Sequence, residues 1–253
     1  MPYLEVDGKS CYYVGNTDRK GVPVLFCHGS GGGHHHWIYQ LKNLPPTINP
    51  LAVDLPGHGR SEGAPADDIA FYRDWLHRFT NALRIGRFVP AGHSMGGAIA
   101  LDYALEHPGE TLGLILVGSG AKLRVLPSFL EELEQGSIPK ALGEYLYAPN
   151  APEELIKRGH REMENTDPLI YLNDLKSCDR FDIRDNLHRI SKPTLIICGS
   201  EDSLTPVKYS RFLEENLPQS RLEIINGAGH MVMLEKPEAV NRAIINFFEE
   251  GLL

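Results

Sequence analysis

The segment with the most chemistry in the chain is Gly92-His93-Ser94-Met95-Gly96, a serine with glycine two positions before it and two after. It is preceded by the apolar run Phe88–Ala91 and followed by a helical stretch, Met95–Glu106, whose first residues include Gly97, Ala98 and Ala100. A nucleophilic serine on a sharp strand-to-helix turn stands clear of the strand ends, but the turn strains the backbone, and glycines at these spacings remove the Cβ atoms that would collide there. The helix N-terminus beneath it favours the negative charge that develops when a hydroxyl attacks a carbonyl. The chemistry this predicts is acyl transfer through Ser94, provided that the chain supplies a base, an orienting acid and donors for an oxyanion.

The donors are sought in a second glycine-rich turn, His28-Gly29-Ser30-Gly31-Gly32-Gly33, which follows the run Val22–Cys27. The backbone N–H groups of Ser30 and Met95 are the expected oxyanion hole, with Gly31 the alternative to Ser30. Asp202 follows the apolar run Thr194–Cys198 in the loop Ser200-Glu201-Asp202, and its spacing from Gly199 and Pro206 favours it over Glu201. In open α/β sheets, sites form at the carboxyl ends of strands, where this loop lies. His230, in Ala228-Gly229-His230 after the run Arg221–Ile225, has the matching position for a base. Asp202 would hold its Nδ1–H and stabilise the imidazolium.

Other histidines compete. His28 and His93 are bound into the two glycine turns and are expected to make structural hydrogen bonds. His34, His35 and His36 suggest a metal site, but neighbours on a regular backbone point apart and no carboxylate or cysteine completes a plausible set. They are expected at a pocket mouth or capping the next helix, with Trp37 packed behind, and neither metal nor cofactor is expected.

These residues need a frame. Short β-branched apolar runs alternate with amphipathic segments, the pattern of an α/β fold with a parallel sheet. Central strands are predicted at Val22–Cys27, Pro50–Val53, Phe88–Ala91, Leu112–Val117, Thr194–Cys198 and Arg221–Ile225, each buried on both faces. Tyr3–Val6 and Cys11–Val14, joined around Asp7-Gly8, read as an antiparallel hairpin at one edge. Helices are predicted over Ile69–Leu83, Met95–Glu106, Lys208–Asn216 and Glu238–Glu249. Residues 121–190 break the rhythm with Pro127, Pro139, Pro149, Pro152 and Pro168, and read as an inserted helical cap; residues 1–120 and 191–253 form the core domain.

Composition narrows the partners. The formal charge of -8 over 253 residues is spread out, without the basic block that phosphate backbones need, so nucleic acid is not expected. The N-terminus lacks a basic segment followed by an apolar run, and no stretch approaches the roughly 20 apolar residues that span a bilayer, so no membrane partner is expected and the reading is cytoplasmic. Cys11, Cys27, Cys178 and Cys198 have no metal-like spacing and are expected to be reduced and buried.

Taken in order, HGSGG at 28–32, DLPGHGRS at 54–61, GHSMGG at 92–97, GSEDSLTP at 199–206 and GAGHMVMLEKPEAVN at 227–241 resemble the α/β-hydrolase superfamily over nearly the whole chain. The resemblance implies the α/β-hydrolase fold, a mostly parallel eight-stranded sheet flanked by helices with a helical cap, and the chain order Ser, Asp, His. It gives Asp54, Gly57 and Gly59 a structural role. It also implies hydrolysis of small carboxylic esters of short to medium acyl chain through an acyl-enzyme, as in an esterase-like member with a Ser-His-Asp triad. Leu126, Phe129, Leu130, Leu146, Met163 and Tyr171 are the candidate acyl-pocket residues. The alternatives are a carbon–carbon bond hydrolase of diketones, for which Arg124, Arg158 and Arg161 are the candidates to bind a substrate carboxylate, and a slow-turnover ligand sensor. Monomer and homodimer are both compatible with the chain.

Overall fold

The computed structural model describes residues 3–251. Its eight strands are β1 Tyr3–Val6, β2 Lys9–Val14, β3 Val22–Cys27, β4 Ile48–Val53, β5 Val89–His93, β6 Leu114–Val117, β7 Thr194–Gly199 and β8 Ser220–Ile225. They form one sheet in the order β1-β2-β4-β3-β5-β6-β7-β8. The pairs β1–β2 and β2–β4 are antiparallel and the rest are parallel. The hairpin turns on Asp7 at φ 52° and Gly8 at φ 71°, the two positive values that a tight two-residue turn requires.

Among the described residues there are ten α-helices: α1 Ile38–Asn43, α2 Ile69–Leu83, α3 Met95–Glu106, α4 Pro127–Glu134, α5 Lys140–Glu144, α6 Glu153–Glu164, α7 Pro168–Arg180, α8 Val207–Asn216, α9 Val232–Glu235 and α10 Pro237–Glu249. Side chains alternate across the sheet as strand geometry demands. Leu25, Cys27, Leu51, Val53, Leu114, Leu116 and Ile196 pack with α2, α3 and α8 on one face. Val24, Phe26, Ala52, Val89, Ala91, Ile115, Val117, Leu195 and Ile197 pack with α1, α9 and α10 on the other.

Burial departs from expectation at β8. All six of its residues are half-buried, because β8 ends the sheet, and Arg221 and Glu223 use its open face for an ion pair at 2.6 Å. Strands β4 and β5 also sit two residues earlier and one later than their apolar runs suggest, since Ile48 extends β4 and the ladder carries β5 to His93 at the lip of the turn.

Between β6 and β7 the chain forms α4–α7 and a 3₁₀ turn, Arg184–Arg189. Of the five prolines that interrupt the pattern, Pro149 lies in a turn between α5 and α6 and the other four stand at helix starts: Pro127 and Pro168 open α4 and α7, and Pro139 and Pro152 immediately precede α5 and α6. An amide nitrogen there has no intrahelical partner to lose. Phe129, Leu133, Leu142, Met163, Tyr171 and Leu175 give these helices an apolar cluster of their own. Among the described residues no helix is long and apolar enough to cross a membrane.

Candidate active site

Ser94 is the last residue before α3 and holds φ 52° and ψ −115°, a conformation that costs a non-glycine residue of order 1–3 kcal/mol. The neighbouring glycines are sterically obligatory. A Cβ on Gly92 would stand 2.0 Å from the carbonyl carbon and oxygen of Gly96, and one on Gly96 would stand 2.3 Å from the carbonyl oxygen of Cys27. Gly97 leaves room for Ser119, whose hydroxyl donates to the Ser94 carbonyl at 2.8 Å. The strained turn is therefore clamped from three sides. Ser119 was not flagged by the sequence, since a serine in a Gly-Ser-Gly loop carries no distinguishing pattern.

Asp202 lies after β7 with both carboxylate oxygens in use. Oδ1 accepts the N–H groups of Leu204 and Thr205 at 2.9 and 2.8 Å, and Oδ2 accepts the Thr205 hydroxyl at 2.7 Å and Nδ1–H of His230 at 2.9 Å. Burial pushes this carboxyl up, but the His230 imidazole and the Thr205 donors outweigh it and hold it below its ordinary value. The rival Glu201 is exposed and makes no side-chain hydrogen bond among the described residues.

His230 is itself held from two directions. His93 Nε2–H donates to its carbonyl at 3.0 Å. Glu235 on α9 accepts the N–H of Gly229 at 3.0 Å and that of Ala148, from the segment between α5 and α6, at 3.0 Å. Burial, reinforced by the neighbouring His230, keeps His93 neutral and well below the usual histidine range. His28 is likewise kept neutral by burial and by His58, donating from Nδ1 to the Gly29 carbonyl and accepting the Leu55 N–H at Nε2. Both histidines make the structural bonds their glycine turns suggested. Among the described residues the Ser94 hydroxyl makes no hydrogen bond.

The N–H groups of Ser30 and Met95 have no acceptor among the described residues. Gly31, the alternative donor, is committed: its N–H bonds the buried Oδ2 of Asp174 at 2.8 Å. Asp174, on α7, also accepts from His58 at 2.8 Å and from the Tyr72 hydroxyl at 2.9 Å, so it ties three core segments to the inserted helices. Nothing in the local sequence marks it, because its three partners lie 143, 116 and 102 residues away. Asp54 has the structural role that its motif implied: it bonds the N–H of His34 at 2.6 Å and of Arg60 at 2.9 Å, and Gly59 is needed because a Cβ there would meet its carboxylate at 2.3 Å.

Ser94 and His230 open on one cavity of about 640 Å³, roofed by the inserted helices. Leu126, Phe129, Leu146, Met163 and Tyr171 line it. Leu130 does not: one residue beyond Phe129, its side chain is turned about 100° round α4 and packs into the cluster between the inserted helices. His36, expected at a pocket mouth, also lines it, and together with Tyr147 and Glu162, which the sequence reading missed, gives one wall polar character. Of the candidate cations Arg124 reaches the cavity, whereas Arg161 is spent on Glu154. The four cysteines are free and buried, and burial pushes the thiols of Cys27 and Cys178 up to about 12.

The three consecutive histidines do not diverge as expected. They form a 3₁₀ turn, His34–Trp37, with Trp37 fully buried behind it. His34 turns to Asp54, while His35 and His36 both reach one oxygen of Glu162 on α6, at 2.7 and 2.9 Å. The completing carboxylate is remote in sequence, which is why the local pattern hid it.

A family model of the α/β-hydrolase fold matches residues 22–237. The chain is 30% identical to a pimeloyl-(acyl-carrier protein) methyl ester esterase of Neisseria meningitidis, over 93% of this chain and 98% of that protein. It superposes on an esterase of Exiguobacterium antarcticum with a TM-score of 0.87 at 25% identity, covering 98% of each chain. A thermophilic esterase gives 0.82 at 34% identity, covering 98% of this chain and 96% of that one. With the eight-stranded sheet, the strained serine turn and these likenesses in agreement, the chain belongs to the α/β-hydrolase family.

Proposed function

We propose that the protein is a serine esterase that cleaves carboxylic esters of short to medium acyl chain, with Ser94 as nucleophile, His230 as general base and Asp202 as its orienting acid. The observation that carries this reading is one arrangement: a serine at φ 52° and the 2.9 Å His230–Asp202 pair opening on the same largely apolar cavity. His230 takes the Ser94 proton as the oxygen attacks the ester carbonyl, and the imidazolium is stabilised by Asp202. The N–H groups of Ser30 and Met95 receive the oxyanion, each worth about 2.7–4 kcal/mol by analogy with single oxyanion donors. His230 then protonates the leaving alkoxide, and water, activated by the same imidazole, releases the acid from Ser94.

Residues 121–190 serve as a lid in this reading, and their apolar inner face, with Phe129, Leu146 and Met163, selects uncharged acyl chains. The names of the relatives support ester chemistry without specifying the ester. The test is hydrolysis of p-nitrophenyl esters from acetate to laurate by the wild type and by Ser94→Ala. The expected result is a short- or medium-chain optimum in the wild type and loss of turnover in the variant, with an unchanged Tm. An active Ser94→Ala protein, or a wild type inert to every ester, would overturn it.

A further inference from the structure

We infer that His35, His36 and Glu162 form a binding site for one divalent transition-metal ion of the zinc class, at the junction between the core and helix α6. Two imidazoles and a carboxylate are a ligand set that zinc favours, leaving a fourth position for water or another small ligand. The candidate ligand atoms of the three residues all lie within 4.8 Å of one another. In tetrahedral coordination, with bonds of about 2.0–2.2 Å, ligand atoms stand roughly 3.3–3.5 Å apart. The two nitrogens now lie 2.7 and 2.9 Å from the same Glu162 oxygen, so an ion needs them to part by only about half an ångström.

The local backbone is built to bring these groups together. The 3₁₀ turn lets neighbouring imidazoles converge, with ring centroids 4.6 Å apart. The preceding glycines leave space for the rings: a Cβ on Gly32 would meet His36 at 2.6 Å, and one on Gly33 would meet His35 at 3.0 Å. The site is also unlike a solvated surface pair. The His36 side chain is 9% exposed, its Nδ1 is buried without a partner, and His36 and Glu162 line the cavity. On ion binding the two Nε2 atoms give up their contacts with the Glu162 oxygen and offer their lone pairs to the ion, with each ring's proton carried on Nδ1.

Binding is measured without substrate, so its outcome is separate from that of the esterase reading. Chelator-treated protein is titrated with Zn²⁺ by calorimetry and with Co²⁺ by visible absorption. One ion per chain is expected, with the intense d–d bands of four-coordinate cobalt and a Tm rise of roughly 5–10 °C when free zinc is about 100 times the Kd. His35→Gln, at a partly exposed position, and Glu162→Gln should each weaken binding at least as much as the roughly 10–100-fold typical of losing an outer-shell partner. His77→Gln is the control, because His77, His107 and Glu110 form a second, more exposed trio. Absence of binding overturns the inference. So does binding that survives His35→Gln and Glu162→Gln but is lost in His77→Gln.

Discussion

Replacing Asp202 by asparagine preserves shape and changes one thing that matters, the tautomer of His230. The structure dictates how the amide must sit. Oδ1 of Asp202 receives two backbone donors, Leu204 N–H at 2.9 Å and Thr205 N–H at 2.8 Å, so the amide oxygen takes that place. Its NH₂ group then faces His230 Nδ1, which in the wild type lies 2.9 Å from Oδ2. A donor facing Nδ1 draws out the ring lone pair, and the proton moves to Nε2, the nitrogen that accepts the proton of Ser94 in the proposed mechanism. The Thr205 hydroxyl, a donor to Oδ2 at 2.7 Å, can rotate to accept instead, so little packing is lost. Stability should change by no more than about 1.5 kcal/mol, the net worth of a single hydrogen bond. The rate should fall far more: a wrong tautomer in a Ser-His-Asp enzyme costs about 10⁴ in kcat, which is about 5.4 kcal/mol of transition-state stabilisation. The assay is steady-state hydrolysis of p-nitrophenyl butyrate at neutral pH, with Tm measured on the same samples. An Asp202→Asn enzyme whose kcat stays within an order of magnitude of wild type would refute the assignment of Asp202 as the orienting acid.

Three further outcomes follow from the geometry. Asp174→Ala leaves His58, Tyr72 and the Gly31 N–H without their shared buried acceptor, and should lower the urea-unfolding free energy by about 3–5 kcal/mol, with a fall in kcat as the turn bearing Ser30 relaxes. His58 loses proton affinity to burial but regains more from Asp174, so its folded value is raised; its contribution is complete below its ordinary value of 6.5 and fades as pH rises through the raised one. The Tm gap between wild type and His58→Gln should therefore be wider at about pH 6 than at about pH 9, and a gap that widens with pH would contradict the pairing. Gly92→Ala sets a methyl 2.0 Å from backbone atoms that cannot yield, so its cost should exceed the roughly 1–3 kcal/mol of ordinary overpacking, read as lost soluble yield or a collapsed Tm.

What could be read from the sequence divides along a physical line. The serine turn, the oxyanion turn and the loops bearing Asp202 and His230 were legible because each is a local steric or positional requirement at the end of a strand: glycine where a Cβ would meet backbone, a polar residue where the apolar run stops. The edge strand β8 was misjudged because an apolar run does not reveal whether a neighbour follows it in the sheet. Leu130 was misplaced because a residue on a short helix with apolar groups on two sides can face either the cavity or its own cluster.

The groups that were not legible share a different property: each acts across the boundary between the core and the inserted helices. Asp174 on α7, Glu162 on α6 and the Ala148 N–H bonded by Glu235 meet partners more than 80 residues away. None belongs to a pattern of its own, since a single acid on an amphipathic helix reads as a solvated face until the fold brings donors to it. Yet these bonds fix the neighbourhood of the chemistry. Asp174 claims the N–H next to Ser30, and Glu235 grips the residue before His230. A buried carboxylate deprived of its partners costs more than it contributes when paired, so detaching α7 would both leave Asp174 uncompensated and loosen the turn that holds the Ser30 N–H. The position of the inserted helices and the readiness of the proposed oxyanion hole are thereby linked through one side chain.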